Sequence, residues 1–455
     1  MKLPGKKIHM VGIGGIGMSG LASILVRMGC KISGSDLVEN DLTRKLRLSG
    51  VKIHLGHNLR VINNQDIVVL SSCIRSDNPE VRRAKELGIR VISRIKLLKI
   101  VMEKNEKVIA VTGTHGKTTI TAMTSLLAER AGLDPTVIIG GESPHFNGNA
   151  KLGKGDLLIA EVDESDGRFP ILRPSHIIIP NLEKEHLEHY RNEKHLEDTF
   201  LRFLKAQLSD SFLFYREEDE RLARLSKVFK GKKTSFGFSK RASLRASDID
   251  INVSRARFSV LWKNKKIGNI ILHIPGVHNI LNALAVTSFG LEFGIDFSVI
   301  ANALSSYRNA KRRFEVIGGA RGAKIVEDYA HHPTEIKATI QAAHSLRPKR
   351  VIAVFQPHRY SRTKSFYKEF SNSFTGSSEV VLTNVYAASE NRLRGASSKR
   401  IYDQMLKNTS IPVKLLSMNR IPYYISKIIK KGDLVLVLGA GDIGSTSKKI
   451  LKVLK

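Results

Sequence analysis

The chain has 455 residues, too many for one hydrophobic core, so about two to four domains are expected. Its apolar fraction of 42% is that of a folded globular protein, and two cysteines, Cys30 and Cys73, cannot build a disulfide framework, which points to a reducing compartment. Lys and Arg number 74 against 42 Asp and Glu, a formal charge of +32, but the excess is spread along the chain with no basic arm or tail; this disfavours a nucleic-acid partner and suits a Lys-rich background or polyanionic small substrates.

Lys2, Lys6 and Lys7 precede a mostly apolar stretch, 8–26, that superficially resembles a secretion signal. Its glycines, and Arg27 just before Cys30 where a cleavage site needs small residues, argue against export. No other stretch reaches the length of a membrane span. Residues 7–11 read as a strand, followed by Gly12-x-Gly14-x-x-Gly17, a helix over 18–28 and a second strand at 31–34 ending in Ser35-Asp36. That is a Rossmann-type unit, which admits NAD, another nucleotide, or a turn that merely packs a helix. Further βα units follow at 66–71, 79–87 and 90–92, and Ser71 lies at the carboxyl end of a strand, on the ligand edge.

After a short polar linker at 103–107, the stretch KVIAVTGTHGKTT at 107–119 joins an apolar strand to a helix over 120–131. Gly113 and Gly116 permit a tight turn, Lys117 supplies charge, and the Thr118 hydroxyl suits Mg²⁺; this is the recipe for gripping a polyphosphate. Val111 stands where the standard loop has glycine. The strand at 157–162 ends in Glu161, Asp163, Glu164 and Asp166, an acidic edge suited to a metal or to plain solvation. A strand at 177–180 leads to His186, read as lying on a surface helix. Residues 258–262 and 267–274 suggest antiparallel strands, and a helix opens near 280 with Asn279 either its N-cap or, with Asn282, a ligand contact. A basic turn holding Arg308, Lys311, Arg312 and Arg313 precedes strands at 325–329, 351–355, 380–383 and 434–438. His331-His332 lacks further ligands at zinc spacing, and Gly439-x-Gly441-x-x-Gly444 repeats the dinucleotide pattern. The two glycine patterns and Asp36 keep a nicotinamide oxidoreductase open, and the charge keeps a nucleic-acid-stimulated ATPase open. The Lys117-Thr118 loop favours an enzyme that transfers phosphate from ATP.

Taken together, GIGGIGMSG (12–20), SGSD (33–36), SSCIRSDNPEV (71–81), TGTHGKTT (112–119), EVDESD (161–166), HNILNA (278–283), RRFE (312–315), EDYAHHPTE (327–335), FQPHRYSRT (355–363) and GAGDIG (439–444) resemble the Mur ligases, in order and over nearly the whole chain. The resemblance implies an α/β protein of three domains: a Rossmann-like UDP-binding domain at 1–106, a P-loop ATP-binding domain at 107–312 and a Rossmann-like ligase domain at 313–455. GIGGIGM and YAHHP separate the chain from the later ligases of the pathway; it is also similar to the branch that attaches an intact tripeptide, but GIGGIGM favours the branch that joins L-alanine to UDP-N-acetylmuramate. The implied reaction activates the lactyl carboxylate as an acyl phosphate, which the L-alanine amine then attacks, with domain closure excluding water.

The resemblance also assigns residues. Lys117, His186 and Arg313 are the implied catalytic groups. ATP falls to Gly113, Thr114, His115, Gly116, Lys117, Thr118, Thr119, Asn279, Arg313 and Asp328. The UDP-sugar falls to Gly14, Gly15, Ile16, Gly17, Asp36, Ser71 and Ser165. Tyr329, His331, Arg359 and Arg362 line the amino-acid pocket, and Thr118, Glu161 and His186 hold magnesium. Glu164 remains an alternative to Glu161, and Glu185 departs from the family's usual aspartate before the histidine. A cytoplasmic monomer or homodimer acting in peptidoglycan precursor synthesis, with no nucleic acid and no membrane span, is expected.

Overall fold

The structure is a computed structural model that describes residues 3–186, 189–251, 255–309, 311–388 and 390–454. These fall into two compact units. The first takes the chain up to Glu183, then Glu193–Arg245 and Leu284–Ala303; the second takes Lys184–Asn192, Ala246–Ala283 and Leu304 onward.

In the first unit, β1 (Lys7–Val11), β2 (Lys31–Asp36), β3 (Lys52–Leu55), β4 (Ile67–Leu70) and β5 (Arg90–Ser93) form a sheet ordered β3-β2-β1-β4-β5. Every pair in it is parallel. The crossovers are α1 (Ile16–Arg27), α2 (Asp41–Leu48) and α3 (Pro79–Glu86), and α4 (Arg94–Met102) leads out. α2 and α3 start where the sequence offers a side-chain cap: Asn40 accepts from the third and Asn78 from the second helical N–H, and Pro79 fills the first turn of α3, where a missing N–H costs nothing. The order reverses beside β1, so the glycine turn after it opens onto the crevice at a topological switch point.

A second sheet follows, built from β6 (Lys107–Val111), β7 (Thr136–Ser143), β8 (Gly148–Lys151), β9 (Leu157–Glu161), β10 (His176–Ile179), β11 (Phe212–Arg216), β12 (Lys232–Gly237) and the first residues of β13 (Leu244–Ile251). The order is β13-β12-β11-β10-β6-β9-β7-β8, parallel except for the β7–β8 hairpin. β6 sits between β10 and β9, and its carboxyl end feeds α5 (Lys117–Arg130). α5 is buried along nearly its whole length, which explains its run of Thr, Ala, Met and Leu with few charges. α6 (Glu193–Lys205) and α7 (Glu220–Ser226) complete the covering helices.

In the second unit, β14 (Ala256–Trp262) and β15 (Lys265–Leu272) make the expected antiparallel hairpin, turned by Lys263 and Asn264 at positive φ. α8 (Val277–Glu292) and α9 (Phe297–Ser306) come next in the chain, with Leu284–Ala303 belonging to the first unit. The helix α8 begins two residues before Asn279, which therefore lies inside its first turn and is not its N-cap. The last sheet runs β16-β17-β21-β18-β19-β20, from β16 (Glu315–Ala320), β17 (Ala323–Asp328), β18 (Arg350–Phe355), β19 (Glu379–Leu382), β20 (Val413–Leu415) and β21 (Asp433–Leu438). Successive residues of β21 alternate between two cores: Leu434, Leu436 and Leu438 join one, Val435 and Val437 the other. The first core is covered by α10 (Pro333–His344), α11 (Tyr360–Ser371) and α12 (Ser398–Asn408), the second by α13 (Ile421–Ile428) and α14 (Gly444–Leu454). Burial on both faces is why these strands read as unbroken apolar runs.

Candidate functional site

The turn after β6 is fixed by the segment that leaves β10. Gly113 has φ of 115°, and a Cβ there would stand 2.7 Å from the Asn181 carbonyl oxygen. The Thr114 N–H donates to that same carbonyl at 3.2 Å. Asn181 also clamps His115 from both sides, accepting from its N–H at 2.8 Å and donating to its carbonyl at 3.1 Å. The Thr114 hydroxyl accepts from the Glu183 N–H at 2.9 Å, and the His115 imidazole stands 3.5 Å from the Glu183 carboxylate. Gly116 caps α5 in the left-handed region at φ of 83°, which turns the helix N-terminus toward the loop.

Lys117 lies across this loop, donating to the carbonyls of Gly113 at 2.6 Å and Thr114 at 3.0 Å. Its ammonium pairs with Glu164 at 2.9 Å, and Glu164 is only 1% exposed. Burial works against the charge, but Glu164, Asp163 and Glu161 overcome it and raise the Lys117 pKa. The two acids that sequence left undecided thus separate. Glu164 faces the lysine, while Glu161 accepts from the Thr118 hydroxyl at 3.2 Å and from the Gly140 N–H at 2.7 Å. Thr119, behind them on α5, is buried. Asn181 and Gly140 carried no signal of their own, since each acts on a side chain distant in the chain.

On the first sheet, Gly12 and Ile13 donate to the Ser35 carbonyl at 2.9 and 3.0 Å. Asp36 accepts from the Gly14 N–H at 2.8 Å, and Asn40 donates to the Gly14 carbonyl at 3.1 Å, so Asp36 braces the glycine turn. Gly15 caps α1, the Ile16 carbonyl accepts from Asn149 at 2.6 Å, and a Cβ on Gly17 would meet the Arg94 guanidinium at 2.9 Å. Arg94 pairs with Asp163 at 3.4 Å, and Asp163 accepts from the Ser165 N–H at 3.0 Å. Ser71 follows β4, and its N–H donates to the Val11 carbonyl at 3.1 Å. Beneath lies a network absent from the sequence reading. The buried Glu80 accepts from the Ser35 hydroxyl at 2.7 Å and stands 3.1 Å from the His9 ring nitrogen.

In the second unit, Asp328 ends β17 and accepts from the N–H groups of Phe314 and Ala330, both at 2.7 Å. Burial, only partly offset by Arg313, pushes its pKa up to about 6. A carboxyl whose pKa is raised on folding stabilises below its unfolded value, 3.8, and loses that contribution as pH rises through about 6. Comparing wild type with Asp328→Asn, urea denaturation is expected to favour the variant by about 1–3 kcal/mol more at pH 7 than at pH 4. An unchanged difference would contradict a carboxyl titrating in that window.

The Arg312 and Arg313 guanidinium groups stack on the Tyr329 ring at 5.1 and 5.2 Å. Burial and then Arg313 press the His278 pKa down to about 4. Asn279, beside it, donates to the Pro275 carbonyl at 2.6 Å and accepts from Asn282 at 3.3 Å. His331 lies 3.0 Å from the Tyr329 carbonyl and 5.7 Å, ring to ring, from His358. Arg359 caps α11 at φ of 69°, half-buried, 4.0 Å from Glu390. Arg362, 4% exposed, is bound by Glu185 at 2.7 Å. His186 corrects the expectation of a surface helix: it lies in a loop at φ of 54°, followed by a turn in which His189 and Tyr190 donate to its carbonyl.

The second glycine pattern is filled. Arg312 donates to the carbonyls of Gly439 at 2.7 Å and Gly441 at 3.1 Å, and a Cβ on Gly441 would collide with Gln356 and Tyr386. These carbonyls are committed to the fold.

Family models match three stretches: the Mur ligase family catalytic domain at 7–106, the Mur ligase middle domain at 111–290, and the Mur ligase glutamate ligase domain at 312–441. The UDP-N-acetylmuramate–L-alanine ligase of Desulforamulus reducens is 40% identical over 466 aligned residues, covering 100% of each chain. Among solved structures, the UDP-N-acetylmuramate-alanine ligase of Thermotoga maritima superposes with a TM-score of 0.84 at 30% identity, covering 98% of each chain. A murein peptide ligase of Psychrobacter arcticus shares the fold, with a TM-score of 0.74 at 24% identity over 99% of each chain. Full-length identity, three successive domain matches and a common fold place the chain in the Mur ligase family.

Proposed function

We propose that the chain is an ATP-dependent ligase that joins L-alanine to UDP-N-acetylmuramate in peptidoglycan precursor synthesis. The observation that carries this is the loop at 113–118: a lysine on a helix N-terminus, backed by a hydroxyl–carboxylate pair, in a chain 40% identical over its full length to an L-alanine-adding relative. The γ-phosphoryl group of ATP passes to a lactyl carboxylate oxygen and ADP leaves. The amine of L-alanine then attacks the acyl carbon, the C–N bond forms, the C–O bond to phosphate breaks, and phosphate and a proton depart.

Gly113, Thr114, His115, Gly116, Lys117, Thr118 and Thr119 are proposed to hold the triphosphate, with Lys117 offsetting the repulsion between two anions. Asn279, Arg313 and Asp328 are proposed for the nucleoside. Gly14, Gly15, Ile16, Gly17, Asp36, Ser71 and Ser165 are proposed for the UDP-sugar, and Tyr329, His331, Arg359 and Arg362 for the amino-acid pocket. The Thr118 hydroxyl and Glu161 carboxylate, 3.2 Å apart, are hard oxygen donors that fit Mg²⁺, with His186 proposed toward a second ion. Magnesium, when bound, would neutralise charge on the phosphates. Domains at 1–106, 107–312 and 313–455, a cytoplasmic location and a monomeric or homodimeric state complete the reading. No helix among the described residues is long and apolar enough to cross a membrane.

Phosphate release from ATP is expected to require UDP-N-acetylmuramate and L-alanine together, with an intact tripeptide failing to replace the amino acid. Release that persists when either substrate is omitted would refute the assignment.

A further inference from the structure

The first unit holds a buried acid that the proposed substrate contacts do not use. Glu80, in the first turn of α3, is fully buried, as is His9 on β1. One Glu80 oxygen accepts from the Ser35 hydroxyl at 2.7 Å and stands 3.1 Å from His9 Nε2. The other accepts from the Asn58 N–H at 3.0 Å and stands 3.4 Å from His57 Nδ1. Burial works against the charge, but the hydrogen bonds from His9 and Ser35 overcome it and lower the Glu80 pKa. An ionised carboxylate only accepts, so His9 turns an Nε2–H toward it. The Ser35 hydroxyl spends its one hydrogen on Glu80, so His57 Nδ1, 3.1 Å from the same hydroxyl oxygen, is the donor of that pair. One acid thus ties β1, the end of β2 and the segment after β3 to the start of α3.

These ties converge on the glycine turn after β1. Ser35 faces both ways: its hydroxyl answers Glu80, and its carbonyl accepts from the N–H groups of Gly12 and Ile13 at 2.9 and 3.0 Å. Gly34, one residue earlier, lets β2 lie so close to the turn that a Cβ there would stand 2.6 Å from the Ile13 side chain. Asp36, one residue later, holds the Gly14 N–H at 2.8 Å. A displacement of Ser35 is therefore a displacement of Gly12, Ile13 and Gly14. Burying a carboxylate is costly, and stability alone is as well served by an apolar side chain. What the acid adds is direction, since it takes hydrogens from three separate stretches of chain at once. We propose that Glu80 is a positioning residue for the UDP end of the substrate: through Ser35 it holds the turn at 12–17 in the geometry that receives the diphosphate. This rests on the reading that the turn takes the UDP-sugar.

The test is calorimetric titration of the full chain with UDP-N-acetylmuramate at saturating AMP-PNP, beside titration with AMP-PNP by itself. In Glu80→Gln the amide nitrogen meets a donor whichever oxygen it replaces; in Ser35→Ala the link to the acid is cut while the carbonyl remains. Both are expected to weaken UDP-N-acetylmuramate about tenfold and to leave AMP-PNP within about twofold. The double variant should bind no more weakly than the weaker single, because both remove one link. In turnover, KM for the UDP-sugar should rise while kcat holds. Asp36→Ala probes the turn directly. If it weakens the UDP-sugar while Glu80→Gln and Ser35→Ala do not, the positioning role is overturned and the reading of the turn stands. If Asp36→Ala also leaves UDP-sugar binding unchanged, the reading of the turn falls. Equal losses for the UDP-sugar and AMP-PNP would make Glu80 a stabiliser of the fold only, and fully additive losses in the double variant would remove the route through Ser35; either overturns the proposal. Should Glu80→Gln fail to fold, Ser35→Ala, which removes a single hydroxyl, decides the question alone.

Discussion

Replacing Lys117 with alanine is expected to reduce turnover about 10³-fold, the scale for losing a preorganised charge aimed at a developing anion. It should also destabilise the protein by about 3–5 kcal/mol, because Glu164, 1% exposed, loses the ammonium it pairs with. The two effects separate in the double variant Lys117→Ala/Glu164→Gln. Neutralising Glu164 removes the buried negative charge that Lys117 offset, so stability in urea should recover by more than half while turnover stays lost. Recovery of turnover in the double variant would show that Lys117 serves only to hold Glu164. Substantial activity in the single variant would remove the phosphate loop from the chemistry altogether.

The second large effect is expected at Gly140. A Cβ there would stand 2.6 Å from the Glu161 carboxyl carbon, and the Gly140 N–H holds a Glu161 oxygen at 2.7 Å. Gly140 has no positive φ, so alanine strains no backbone; it pushes aside the end of a flexible side chain. Stability should change by less than about 1 kcal/mol. If Glu161 holds magnesium with Thr118, the Mg²⁺ concentration for half-maximal rate should rise about 10–100-fold. Glu161→Gln should act in the same direction. An unchanged Mg²⁺ dependence in both variants would transfer the metal to other ligands.

Much of this was written locally. An apolar run, a glycine pair and Lys-Thr before a helix specify the strand, turn and cap within about ten residues, because φ/ψ preferences and helix capping act over that distance. Residues 107–119 therefore gave up both the shape and the chemistry of the loop, and the unbroken apolar strands announced the parallel sheets. Roles that depend on residues far apart were closed to such reading. Lys117 chose Glu164 rather than Glu161 across 47 positions, and Arg362 is bound by Glu185 across 177. The two glycine patterns are equivalent as strings, yet one is braced by Asp36 and the other occupied by Arg312 across 127 positions. His186 lies in a loop rather than on a helix, and α8 begins two residues before Asn279. Sequence by itself determined which backbone shapes and functional groups this protein has; tertiary structure decided which acid meets which base, because a buried charge is stable only beside the partner that packing brings to it.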